Sequence, residues 1–194
     1  MFNVMWNTTT PGIYWGAALG GSLIAAVYDI RTRRIPNKLT GSLLLIGTIC
    51  VSSMYGLAGL GNGLLGCLIM SVPFVLLFIF AGGGAADAKL MGAIGMWLGA
   101  RNGVVAVVAV LIAGAILGLL YAFSKRRLQA VLLNLSLAGF GIARLLTRQQ
   151  KWSQAGNVMP CEQDMLTMPY GISIFAGVAV AAWTVLVLKT GWMR

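Results

Sequence analysis

An all-α polytopic membrane protein is the fold class this sequence predicts, with about six transmembrane helices and one cytoplasmic interfacial helix. Three observations predict it. Hydrophobic residues make up 59% of the 194 residues and charged residues 9%, with a mean hydropathy of +0.87, a composition foreign to water-soluble domains. Six apolar stretches follow one another, over residues 12–30, 39–60, 64–80, 88–100, 104–123 and 172–188. The basic residues are also gathered into clusters between these stretches instead of being spread along the chain.

A helix needs about 20 residues to cross a hydrocarbon core ~30 Å thick. Five of the six stretches meet or approach that length. The fourth is short, and becomes long enough only if residues 82–87 enter the membrane with it. The first stretch does not read as a cleaved signal peptide, because its basic cluster follows the apolar run instead of preceding it. Many of the 26 glycines sit inside apolar runs, as small residues do where helices pack closely in lipid.

The net charge of +10 sets the topology. Arg31, Arg33, Arg34 and Lys38 follow the first span, and Lys125, Arg126, Arg127, Arg144, Arg148 and Lys151 follow the fifth. With Lys89 these make eleven basic residues on one side, against Arg101, Lys189 and Arg194 on the other. The positive-inside rule therefore places the N-terminus outside and the clusters in the cytoplasm, in contact with anionic lipid. Nucleic acid is not an expected partner, since no soluble basic domain is present. Residues 128–146 are apolar but interrupted by polar side chains and flanked by basic ones, which predicts an amphipathic helix lying at the interface. Residues 149–162 read as loop. Nothing divides the chain, so residues 1–194 are expected to form one membrane-embedded domain.

Chemistry is confined to few residues. There is no histidine, which excludes His-based acid–base catalysis and, with scattered Cys50, Cys67 and Cys161, a zinc site of the usual kind. No metal or cofactor is expected. Only four acids occur. Glu162 and Asp164 sit in a polar run and carry no site signal. Asp29 and Asp87 instead abut apolar segments. Alternating the spans puts loops at 31–38 and 82–87 inside and at 55–62 and 101–103 outside, so both acids fall on the cytoplasmic side. A lone acid beside Arg31 is commonly an interfacial ion pair. Two acids at one depth suggest paired carboxylates, one activating water and the other protonating a scissile amide. Such a pair shares a proton and titrates as a unit, which predicts a bell-shaped dependence of rate on pH.

The residues around the two acids suit that role. Gly82, Gly83 and Gly84 permit close approach of a substrate strand, and Pro36 ends helical character beyond Asp29. Lys89, two residues past Asp87, could lower an acid's pKa, and is read first as a lipid-phosphate or topology residue.

These motifs resemble those of the type IV prepilin peptidases. Asp29 followed by Arg34-Ile35-Pro36-Asn37 is similar to the family's first-aspartate motif. Gly84-Ala85-Ala86-Asp87-Ala88-Lys89 resembles its Gly-x-Gly-Asp motif and following Lys, with Ala86 in place of the second glycine. Met168-Pro169-Tyr170-Gly171 resembles the Pro-Tyr that opens the last helix. The resemblance implies an aspartyl endopeptidase that cuts prepilin or pseudopilin leaders at the cytoplasmic face of a bacterial inner membrane, with Asp29 and Asp87 as its dyad. Arg34, Pro36, Asn37, Gly84, Ala86, Lys89, Pro169 and Tyr170 are carried over as supporting positions. The chain lacks the Cys-x-x-Cys region of the larger members, so it resembles the short, peptidase-only type serving Flp/Tad pili, with no methyltransferase activity. An ion-coupled transporter and a catalytically inactive pilin-assembly scaffold are the alternatives.

Overall fold

A computed structural model describes residues 12–81, 84–124 and 170–191. They form four α-helices: α1 Gly12–Thr32, α2 Asn37–Ala81, α3 Ala85–Ser124 and α4 Tyr170–Gly191. No strand occurs among the described residues. Each of the four contains a stretch long and apolar enough to cross a membrane. The expected interfacial helix at 128–146 lies outside the described residues.

In α1 the buried side chains are Tyr14, Trp15, Ala18, Ser22, Ala25, Ala26 and Asp29. This three-four spacing is one stripe of a helix, and its small residues let neighbouring backbones come close. Asp29 is the last member of the stripe, so the packing that seats α1 also turns this carboxyl inward. The helix stops just beyond. Arg33 adopts a left-handed conformation with φ of 51°, while its N–H still donates to the Asp29 carbonyl at 2.9 Å. Pro36 follows, and its carbonyl accepts from Leu39 N at 3.0 Å to start α2.

Six separate spans were expected, and four helices are found among the described residues. The difference lies at two glycines. Gly56 inside α2 has φ 61° and ψ −151°, and Gly99 inside α3 has φ 71° and ψ −179°. Only glycine adopts such angles without strain. Here one residue does the work assigned to the loops expected near 55–62 and 101–103, and helix resumes at once on the far side. The chain doubles back at both points. A methyl on Gly63 would lie 3.7 Å from Val51 Cγ1, although twelve residues of straight helix span ~18 Å. Likewise a methyl on Gly95 would press on the Gly66 carbonyl, and one on Gly103 would lie 3.7 Å from Gly66 Cα. The amide of Ala100, freed where helix restarts after Gly99, donates to Asn62 Oδ1 at 3.0 Å, which satisfies an otherwise orphaned donor.

The folded-back halves pack backbone to backbone. Gly66 faces Gly95 and Gly99 so closely that a methyl on Gly66 would sit 2.6 Å from the Gly99 carbonyl carbon. Gly95→Ala is therefore expected to destabilise the protein by ~1–3 kcal/mol, as overpacking does. Thermal unfolding in detergent checks this, with Gly16→Ala, where an added methyl meets nothing within 4 Å, expected to leave the midpoint unmoved. Trp97 adds a cross-helix bond, its Nε1–H donating to the Leu43 carbonyl at 2.9 Å. Tyr14 packs edge-on against Trp97 and Tyr55, with ring centroids 5.7 and 6.3 Å apart.

The core is built from Trp15, Met70, Leu90, Ile94, Val110 and Ile174 with their neighbours. Outward faces carry exposed Leu23, Ile24, Ile46, Ile49 and Leu119. Large apolar side chains on the outside suit a molecule whose solvent is hydrocarbon. The reversals at Gly56 and Gly99 leave the end of α1, the start of α3 and the start of α4 together at one end of the bundle.

Candidate active site

Asp29 is 8% exposed, in the last turns of α1. Its Oδ2 accepts a hydrogen bond from the Gly171 backbone N–H at 2.7 Å. Gly171 is the second residue of α4, so this N–H is one of the donors that a helix start leaves without an intrahelical partner. A helix N-terminus also favours negative charge beside it. The contact needs glycine. A methyl at 171 would lie 2.9 Å from Asp29 Cβ and 3.0 Å from Ala26 Cα.

Asp87 is also 8% exposed and lies in the first turn of α3. It is helical, not part of the loop expected over residues 82–87. Its N–H donates to the Gly84 carbonyl at 3.1 Å, and a methyl on Gly84 would lie 2.7 Å from Asp87 Oδ2. Gly84 thus gives the carboxyl room to fold back over the helix start. Asp87 lies within electrostatic range of Asp29 and of Tyr170, the residue before Gly171. Asp29, Asp87, Tyr170 and Gly171 accordingly form one neighbourhood, built from three helix ends.

The remaining positions divide into two groups. Asn37 and Lys89 meet directly, Lys89 Nζ donating to Asn37 Oδ1 at 3.3 Å, which ties the start of α2 to the first turns of α3. Pro36 opens α2 as described above, and the neighbouring Ile35 is buried. Arg34 is exposed and touches neither carboxyl in any contact seen here. Pro169 lies outside the described residues. Ala86 is helical, with no positive φ, so the freedom a glycine would bring at this position is not used. Among the described residues no group of three or more His, Cys, Asp or Glu side chains is placed to hold a metal ion.

The type IV leader peptidase family matches residues 17–123, a stretch covering more than half of the chain and containing both aspartates. The chain belongs to the type IV leader peptidase family. No curated protein and no solved structure matches it. Membership of this family implies protease activity on prepilin-type substrates. For a leader peptidase, Gly171 is the residue that sequence reasoning passed over, although it follows the Pro-Tyr pair directly. A backbone donor leaves no mark in a residue's identity. The one available signal was a glycine in the first turn of a helix, where nothing in the helix itself calls for it.

Proposed function

We propose that this leader peptidase is an aspartyl endopeptidase, with Asp29 and Asp87 as the dyad that cuts prepilin or pseudopilin leaders. The observation that carries this reading is the convergence of two buried carboxyls from distant parts of the chain on one end of the bundle. One carboxylate activates water, and the other carboxyl delivers a proton to the leaving amide. The Gly171 N–H orients Asp29, and Tyr170 flanks the pair.

In the proposed topology each half of α2 and of α3 crosses the membrane separately, giving six crossings with the N-terminus outside. Arg31, Arg33, Arg34, Lys38 and Lys89 then share the cytoplasmic side with the dyad. Residues 85–98, the first half of α3, extend ~21 Å at 1.5 Å per residue, less than the ~30 Å of a bilayer core. This shortness recesses Asp87 below the membrane surface, where water reaches it through a protein-lined cavity. Residues 1–194 act as a single domain in a bacterial inner membrane.

Co-reconstitution with a pilin-like protein carrying a short basic leader tests the reading. Intact mass and the new N-terminus should report a single cut at the leader junction. Uncut substrate across several candidate pilins, alongside proton flux in protein-containing vesicles, would favour a transporter instead.

A further inference from the structure

We propose that the groove beside Lys89 is a binding site for one anionic phospholipid, its phosphate held by Lys89 and one of its two acyl chains lying along the groove. The groove is an open one of about 570 Å³ between both halves of α2 and the first half of α3. Its polar end is formed by Asn37, Thr40 and Lys89, and its walls by Leu44, Val75 and Phe78. Neither aspartate lines it. This inference rests on the proposed membrane topology and not on the catalytic assignment.

The chemistry of the two ends selects the occupant. Lys89 is exposed, and an ammonium carries three donors, of which Asn37 takes one. The Asn37 contact holds the ammonium at the mouth of an apolar channel, an arrangement that complements an anionic head joined to a hydrocarbon tail. Exposed Arg34 and Lys38 add positive charge on the same side, the side that faces the anionic leaflet in the proposed topology. A single alkyl chain is thin enough to run the length of the walls. The groove is closed to a bulky occupant where Gly92 nears Cys67, since a methyl there would be 3.2 Å from Cys67 Sγ.

Native mass spectrometry of the full chain in detergent, offered equal phosphatidylglycerol and phosphatidylethanolamine of matched chains, tests this without reference to proteolysis. Wild type is expected to retain one phosphatidylglycerol with about fivefold preference, the discrimination one lysine confers toward anionic lipid. Lys89→Gln should lose the preference while keeping weak binding of both lipids. Gly41→Leu should lose both, because a side chain grown from Gly41, which lines the groove and whose added methyl meets nothing within 4 Å, would occupy the tail channel. Equal retention of the two lipids by wild type overturns the proposal, as does unchanged retention in folded Lys89→Gln and Gly41→Leu. Protection of Cys67 from alkylation by an apolar pilin peptide, with none from phosphatidylglycerol, would assign the groove to the peptide and sink the lipid site.

Discussion

Asp29→Asn and Asp87→Asn are each expected to slow leader cleavage by roughly 10²- to 10⁴-fold, the range that a positioned acid or base contributes. Asn keeps the size and polarity of Asp but cannot exchange the proton. At position 29 an amide oxygen can still accept from the Gly171 N–H, so the junction of α1 and α4 survives the change. At position 87 the side chain stays small enough for the space above Gly84. The variants should therefore unfold near the wild-type temperature while losing activity, which cleavage rates and thermal midpoints measured on the same preparations will check. A loss of activity accompanied by loss of the fold would instead assign the affected aspartate a structural role in capping or packing.

Gly171→Ala is the second large effect. Its methyl would sit 3.1 Å from Asp29 Oδ2 and 3.0 Å from Ala26 Cα, and the latter contact is with backbone that cannot swing aside. The start of α4 must then back away from α1, stretching the 2.7 Å bond to Asp29. A hydrogen bond to a charged group contributes ~1.5–3 kcal/mol, so turnover is expected to fall roughly 10- to 100-fold. Crowding should also lower stability by about 1–3 kcal/mol. Gly118→Ala, which meets nothing within 4 Å, is the matched control and should change neither. In an Asp29→Asn background the added Gly171→Ala should cost little further activity, because its catalytic effect runs through the carboxylate. A full additional loss in that background would make Gly171 a packing residue alone.

Much of this arrangement could be read from the residues, for identifiable reasons. Alternating the basic clusters across a membrane brought Asp29 and Asp87 to one side, and the structure gathers both near the start of α4. The apolar runs identified the helical regions. What escaped was how the chain turns. Gly56 and Gly99 are two among many glycines in apolar surroundings, and nothing local distinguishes a glycine at φ 61° or 71° from one that merely packs, as Gly66 does against Gly95. Asn62, which receives the Ala100 amide, marks the second turn only once the fold is known. The helical start of α3 was likewise hidden. Gly82-Gly83-Gly84 suggested an extended loop as far as Asp87, whereas helix begins at Ala85 and carries Asp87 in its first turn. Arg34 drew attention as part of a motif, yet it is exposed and away from the carboxyls in the contacts seen here. Gly171 stood in the Pro-Tyr motif but was given no role, because its contribution is an N–H that every residue except proline possesses.

The central claim is that Asp29 and Asp87 act as one catalytic unit, and a double-mutant cycle on cleavage tests it most directly. Single-turnover rates would be measured in lipid for wild type, Asp29→Asn, Asp87→Asn and the double variant, using one pilin-like substrate. Residues that act together are strongly non-additive. The two single variants should thus be similarly inactive, with the double variant no slower than either. Losses that multiply, or a folded single variant that cuts at the wild-type rate, would contradict the shared dyad.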